Sequence, residues 1–577
     1  METRTYNPAK NESATTVKMT GAQALMEAMI HEGAKLMFGY PGGAIMPVYD
    51  ALYSYQDRIK HVLVRHEQGA IHAAQGFARV TGQTGVCLVT SGPAATNVVT
   101  GIADAMIDST PVVIISGQVA SPLLGTDAFQ ETDVIGITQP VTKWNYQITR
   151  PEEIPWAMAR AFYIAKSGRP GPVLLDITKD AQFGSLDFSY ERMNYIRSYT
   201  PNPVPDLAKI QEASHLINLA RKPLALIGQG VVLAGAEKEL MEFLEKTGIP
   251  AAWTILGLSA MPTEHPLNVG MLGMHGNYGP NIKTNEADLI LGIGMRFDDR
   301  VTADPKRYAT NARVIHMEID PAEINKIIHA DVPLLGDVKQ TLPLLTAKVN
   351  KNEHQDWLEE FNACFRIESD RLIEKELFPE KPELTMGEVV RRVSSAFDDD
   401  AIMVTDVGQH QMVATRYFKF KQSKSVVTSG GLGTMGFGLP AAMGAQMGAP
   451  GRHVVLFVGD GGFQMTIQEL GTIFQEKLPV KIVLLNNNFL GMVRQWQELF
   501  FDFRYAETEM LNPDFQLISK GYHIPAHKVT QRDQLDEAIK TMAETDGPFL
   551  LEVVVEKEGN VFPMIPSGMS IDDIRLE

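Results

Sequence analysis

The stretch from Arg452 to Trp496 constrains this chain more than any other, because it reads as strand, helix, strand. VVLFVG (Val454 to Gly459) and VKIVLL (Val480 to Leu485) are short unbroken apolar runs of the kind buried in a parallel sheet. Between them Ile467, Leu470, Ile473, Phe474 and Leu478 recur at helical spacing, and Thr466 with Glu469 predicts a capping-box helix start. In a βαβ unit both strands end on one edge of the sheet. Asp460 and Asn486 to Asn488 are therefore expected to converge where open α/β sheets bind ligands.

A carboxylate with side-chain amides suits a hard cation, and magnesium holding a phosphate is the usual one. Gly459, Gly461 and Gly462 let the backbone approach a diphosphate closely. A lone Gly-Asp-Gly is more often a turn and an Asn run more often a loop, so the joint placement carries the argument. The spacing of GDG to NN, with Asp460 27 residues before Asn487, resembles the signature of thiamin diphosphate enzymes. GMVRQWQ (Gly491 to Gln497) narrows the resemblance to the acetohydroxyacid synthase family. That resemblance implies magnesium ligation by Asp460, Asn487 and the backbone carbonyl of Phe489, with Gly491, Met492 and Val493 beside the cofactors.

At 577 residues the chain is long enough for about three or four domains. A net charge of −17 without basic runs argues against nucleic-acid or anionic-membrane partners. Cys87 and Cys364 are the only cysteines, so neither a disulfide framework nor a Cys-based metal site is indicated. The first residues lack the apolar core of a secretory signal, and no apolar stretch approaches the ~20 residues of a membrane helix. A cytoplasmic protein is expected.

Alternating strands and helices to about Asp180 predict a first doubly wound domain. Thr20 and Gln23 form a capping box, and Ala22, Leu25, Met26, Met29 and Ile30 make one helical face closed by Gly33. The loop holding Tyr40, Pro41 and Gly42 follows a strand, and HVLVRHEQGA places Glu67 at a strand end and helix start. A third strand, GVCLV, ends in a small-residue loop through Pro93, before a helix starting near Asn97. On composition alone Glu67 merely favours a helix dipole. By resemblance it is the coenzyme's activator, with Tyr40, Pro41, Gly42, Pro93 and Asn97 near the coenzyme and Phe129 and Gln130 as active-site neighbours. Arg169 then lies near a flavin and Lys179 near the substrate entrance, although alone they read as a turn residue and a solvated charge. Lys143 matches a basic residue of the family and receives no role.

Residues 181 to 205 lose apolar periodicity and end in PNPVP, a linker composition. A second α/β set follows, and Gly228-Gln229-Gly230 begins a dinucleotide fingerprint whose third glycine is replaced by Leu233. GMLGMHG, GMRFDDR and IDPAEI resemble the family's flavin domain. By that resemblance FAD contacts fall on Gly228, Gly230, Leu272, Gly273, Met274, His275, Gly294, Arg296, Asp298, Arg300, Val301, Glu318, Ile319, Gly336 and Asp337. A helix from Met386 to Phe397 and a strand AIMVTDVGQHQM open the third domain. Val407, Gly408, Gln409, His410 and Gly433 fall to thiamin diphosphate, Gln411 and Met412 to the cofactors, and Met435 to an apolar buttress under the coenzyme. The tail VFPMIPSGMSIDDIRLE shows no core pattern, and by resemblance it closes over the site with Trp496, Ser567 and Gly568 at the entrance.

The expected fold is α/β, with three doubly wound parallel-sheet domains. The expected divisions are a leader (1–19), a pyrimidine-binding domain (20–185), a linker (186–205), an FAD domain (206–345), a connector (346–382), a diphosphate and magnesium domain (383–556) and a tail (557–577). Two domains with similar alternating patterns, each with a glycine loop before a helix, suggest an old duplication. The resemblance implies decarboxylation of pyruvate on thiamin diphosphate and transfer of the two-carbon unit to pyruvate or 2-oxobutyrate, giving 2-acetolactate or 2-aceto-2-hydroxybutyrate. It also implies magnesium, a non-redox FAD, a homo-oligomer of at least two chains whose active site spans two subunits, and a small regulatory subunit. A flavin-reducing oxidase, a flavin-free acetolactate synthase and a non-catalytic subunit are the alternatives. Ala94, Ala120 and Ala303 depart from the glycine, proline and glycine common in the family.

Overall fold

A computed structural model describes residues 16–577; the earlier part of the leader lies outside them. Three six-stranded, all-parallel sheets carry the chain. The N-terminal sheet runs Lys60–Leu63, Leu36–Gly39, Gly85–Val89, Val112–Gln118, Pro172–Thr178, Trp144–Ile148. The C-terminal sheet runs Val426–Val427, Ile402–Thr405, Val454–Gly459, Lys481–Asn486, Phe549–Val554, Ala526–Val529. Numbered within each domain, both have the order 2-1-3-4-6-5. The central sheet, Asn268–Met271, Ala251–Trp253, Pro223–Ile227, Leu289–Ile293, Arg313–Glu318, Val332–Leu335, has the order 3-2-1-4-5-6. Each order has one point where neighbouring strands send their connections to opposite sides, and ligands bind in the crevice that opens there.

The central strands are buried on both faces, which explains why they read as continuous apolar runs instead of alternating ones. The outer domains share a core in which the helix Glu67–Thr81 crosses the helix Gly438–Gly448. The crossing is close enough that a Cβ at Gly444 would lie 1.8 Å from the Ala73 carbonyl oxygen. The alanine-rich run thus packs against a helix of the first domain. A second core joins the central sheet to the C-terminal one.

Several expectations need correction. The Thr20–Gln23 capping box forms, but Thr466 makes no side-chain cap. The segment after Gly459 breaks into Asp460–Met465, a 3-10 turn Ile467–Glu469 and Leu470–Glu476, because Glu469 turns its carboxylate to the backbone N–H groups of Arg65 and His66. The helix expected near Asn97 begins at Pro93 and is followed by another from Val99. The strand expected through Met412 stops at Thr405, and Gln409 opens a helix to Tyr417. Val17–Thr20 pairs antiparallel with Ser185–Phe188, a ribbon that crosses the expected leader and linker boundaries. The tail carries a core after all. Met564, Ile565 and Ile571 are each 1 % exposed, and Met564 and Arg575 exchange backbone hydrogen bonds of 3.0 and 2.9 Å.

Candidate active site

In the C-terminal sheet the switch point lies between Ile402–Thr405 and Val454–Gly459, and it brings Asp406–Gln409 beside Asp460–Gly462. Asp406 accepts from the backbone N–H groups of Val407, Gly436 and Gly438 at 2.9, 3.1 and 2.8 Å. Burial pushes its pKa up to about 6 against those donors. Asp460 is 1 % exposed, and burial pushes it up to about 6 as well, opposed first by a hydrogen bond from Asn512. The Asn512 amide donates 2.6 Å to Asp460, 3.1 Å to Asn486 and 3.0 Å to Asn488. Asn487 donates 3.4 Å to Gln409 and accepts 3.2 Å from the Phe489 N–H. The two strand ends therefore converge as expected, with Asn512, which sequence reasoning missed, as the bridge.

These groups suit a magnesium ion bearing a diphosphate. None of the groups that shift Asp460 is a cation, so the buried carboxylate lacks a countercharge. His410 is buried with its Nε2 unpartnered, and burial pushes its pKa down to about 3, so it is neutral near pH 7. Gly408 sits at φ +151, where a side chain is strained, and a Cβ there would meet His410 at 2.9 Å. A Cβ at Gly461 would lie 3.6 Å from the Met435 methyl, which places Met435 beside the same loop. Among the described residues no cluster of three or more His, Cys, Asp or Glu side chains could hold a metal. The candidate set, one carboxylate with one amide and one backbone carbonyl, is of a different kind.

At the carboxyl edge of the N-terminal sheet, Glu67 starts its helix and accepts 2.9 Å from the Asn97 amide. Pro93 starts the next helix after Gly92, whose φ of +58 sets it against Gln130. Phe129 is 86 % exposed, and Tyr40, before Pro41, is exposed on the same edge. A Cβ at Gly42 would meet Thr90 at 2.3 Å. Within one chain no hydrogen bond among the described residues joins Glu67 to the Asp460 group. Lys179 starts a short helix after Pro172–Thr178 and lies outside the lining of the large cavity. Lys143 is structural: its ammonium donates to the Ile164 and Ser167 carbonyls, and burial pushes its pKa down to about 8.

A cavity of about 680 Å³ opens at the switch point of the central sheet, between Pro223–Ile227 and Leu289–Ile293. Its wall includes Arg169, Gly230, Leu272 to His275, Gly294, Arg296, Asp298, Arg300, Val301, Glu318, Ile319 and Asp337. Val407, Gln411, Met412, Gly433, Met492 and Trp496 close its other side. Gly228 and Gly336 lie outside the wall. A Cβ at Gly228 would lie 2.2 Å from the Gly294 carbonyl oxygen, so that glycine serves the close approach of two strand ends. Val493 is half exposed next to Met492.

The cavity's chemistry suits a dinucleotide. Arg296 reaches only to 3.7 Å from Asp298, and Arg300 to 3.3 Å from the exposed Asp299. Arg169 is tied to Glu323 at 2.7 Å and Asp320 at 3.3 Å. His275 is buried with Nε2 unpartnered, while its Nδ1 meets the Pro563 carbonyl at 3.2 Å. Burial pushes Glu318 up to about 7, even though it accepts from the Asp320 and Ile319 N–H groups. The tail braces this wall, with Ile565 N–H donating 2.9 Å to the Met274 carbonyl and Asp304 N–H 3.1 Å to that of Met569. Ser567 and Gly568 are exposed at the tip of the tail's turn.

Comparison with known proteins identifies the family. Three family models fit the chain: the N-terminal TPP binding domain of thiamine pyrophosphate enzymes over residues 19–137, the central domain over 210–345 and the C-terminal TPP binding domain over 406–553. The acetolactate synthase large subunit of Corynebacterium glutamicum is 45% identical, covering 98% of this chain and 92% of its own. The chain belongs to the acetolactate synthase large-subunit family. The isozyme 2 large subunit of Escherichia coli is also 45% identical, over 96% of this chain and 98% of its own. The Lactococcus lactis large subunit is 41% identical over 96% of each. The matched models assign TPP binding to both the N-terminal and the C-terminal domain.

Set against the family, the three alanine departures have different weights. Ala120 has φ −62, a backbone that proline also adopts, so its substitution leaves the turn unchanged. Ala94 is buried inside a helical turn and fits. Ala303 sits at φ +51 and ψ −111, where glycine is at ease and alanine is strained. No helix among the described residues is long and apolar enough to cross a membrane.

Proposed function

We propose that the chain is a catalytic subunit that uses thiamin diphosphate, magnesium and a non-redox FAD to join two 2-keto acids into an acetohydroxy acid. Pyruvate is the donor, and pyruvate or 2-oxobutyrate the acceptor. The observation that carries this reading is the pairing of Glu67 at one sheet edge with buried, cation-free Asp460 at the matching edge of a sheet of identical strand order.

Asp460, Asn487 and the Phe489 carbonyl would hold magnesium and, through it, the diphosphate. Thiamin diphosphate, when bound, supplies the electron sink that makes decarboxylation of a 2-keto acid possible. Glu67 holds a proton at N1′ of the aminopyrimidine, a positioned proton transfer worth about 10²–10⁴ in rate. Met435 would support the coenzyme from its apolar side. Arg296 and Arg300 offset the charge of the FAD diphosphate with forked hydrogen bonds. Gln130, Phe129 and Lys179 face the substrate from the first domain. Trp496, on the cavity wall, meets the acceptor's alkyl end and senses one methylene, a discrimination of about 1–3 kcal/mol.

By the family resemblance, Glu67 of one chain faces the Asp460 group of another, and a homodimer is the minimum active unit. The relatives are named as large subunits, and we extend to this chain a small partner subunit and a cytoplasmic setting. Purified protein assayed with each cofactor omitted in turn tests the reading. Acetolactate formation that requires all three, without net flavin reduction, supports it; product without FAD or reduction of the flavin by pyruvate rejects it.

A further inference from the structure

The loop Ser429–Thr434 is held by groups that none of the roles above uses. Asp104 lies in the helix Val99–Ile107 and Asp108 caps it; both are fully buried. Asp104 accepts hydrogen bonds from the hydroxyls of Ser429 and Thr434. Asp108 accepts 2.8 Å from the Gly430 N–H and 2.7 Å from the Gly431 N–H, one on each oxygen. Arg79 donates 2.8 Å to Asp108 and 2.6 Å to the Thr428 carbonyl, closing the ring. The Ser429 hydroxyl in turn accepts 2.9 Å from the Thr434 N–H. Two carboxylates and a guanidinium of the first domain thus satisfy a loop more than 320 positions away in the sequence.

That loop faces two ways. Ser429 to Gly433 line the large cavity opposite Arg296 and Glu318. Immediately after it Met435 reaches the Gly461 loop, and Gly436 donates to Asp406 beside the diphosphate end. Three of the loop's six residues are glycines, and beyond the one internal bond from Thr434 to Ser429 its shape is held by the Asp104 and Asp108 carboxylates. Two buried charges kept for four hydrogen bonds to one loop are costly unless the loop's position matters.

We infer that Asp104 and Asp108 are positioning residues that set Ser429–Thr434 as a common wall of the flavin and thiamin diphosphate sites, so that each cofactor tightens the other. The inference rests on the proposed use of both cofactors. Burial raises the Asp104 carboxyl to about 6, with Asp108's charge adding to this and Arg79 opposing it.

The test uses full-length protein stripped of cofactors, with Asp104→Asn and Ser429→Ala beside the wild type. FAD affinity is read from quenching of flavin fluorescence, and thiamin diphosphate–magnesium affinity from tryptophan fluorescence, each with and without the other cofactor at saturation. Wild type should show reciprocal tightening of at least ~5-fold. Both variants should lose about tenfold in FAD affinity and bring the tightening below about twofold. If Asp104→Asn does not fold, the Ser429→Ala result decides. Variants that melt at lower temperature yet keep both affinities and the coupling would overturn the clamp while leaving the cofactor reading intact. Wild type that binds no FAD would overturn both.

Discussion

Gly444→Ala tests whether the crossing of the two outer domains controls the chemistry. The added Cβ would stand 1.8 Å from the Ala73 carbonyl oxygen and 2.7 Å from its carbon, whereas ordinary contact begins at 3.4 Å. Both obstacles are backbone atoms, so no rotamer change relieves them. The reciprocal position is as tight, with a Cβ at Gly76 lying 2.0 Å from the Ala441 oxygen. The helices must therefore part by roughly 1.5 Å, and since a gap of about 1 Å already forfeits about half of the dispersion energy of a contact, each pair pulled apart loses more than half. Overpacking of this kind costs about 1–3 kcal/mol, and the backbone clash puts this case at the upper end. Glu67 is the first residue of the displaced helix. A shift of about 1 Å at a reacting group costs on the order of 10²-fold in rate, so kcat for acetolactate should fall by about that factor with thiamin diphosphate still bound. Gly451→Ala is the control, since nothing lies within 4 Å of its added Cβ. Initial rates and melting curves of the two variants decide the matter: if Gly444→Ala matches Gly451→Ala in both, the reasoning is wrong.

Glu67→Gln should keep the Asn97 contact and the fold but lose about 10²–10⁴ of the rate, checked by acetolactate formation at saturating cofactors. Trp496→Leu should weaken the choice of 2-oxobutyrate over pyruvate by ~10-fold or more in a competition assay, and an unchanged product ratio would remove Trp496 from that role. Ala303→Gly releases an alanine from φ +51 and should raise stability by about 1 kcal/mol, read as a higher urea midpoint. Lys481 is buried against the Thr545 and Gly547 carbonyls, and burial pushes its pKa down to about 8. The unfolded lysine keeps its proton to about pH 10.4, so unfolding takes up a proton between those values and stability rises with pH there. Lys481→Met should flatten that rise between pH 8 and pH 10 in urea titrations.

The parallel-sheet architecture was legible because buried strands leave unbroken apolar runs, and glycine-bordered strand ends mark the switch points. Asp460 and Asn487 could be placed from those signals alone. Asn512 could not be. It lies outside every strand and helix, and only folding brings its amide to Asp460. Glu469 was misread for a related reason: a capping-box spacing is local, whereas its carboxylate serves Arg65 and His66 some 400 positions away. The tail looked coreless because its apolar residues follow no period. Each one meets a different neighbour, as Ile565 does at the Met274 carbonyl. Gly228, expected beside a ligand, also lies against the Gly294 backbone, a contact that a glycine fingerprint does not reveal.

The bracing of Met274 and His275 by Pro563 and Ile565 bears on how the protein is made. Pro563 and Ile565 follow the last strand of all three sheets, so the cavity wall they brace is finished by residues synthesised after every sheet strand. Capture of the proposed flavin is then a step that follows synthesis of all three sheets. Chains cut before Pro563 should accumulate as folded, colourless protein.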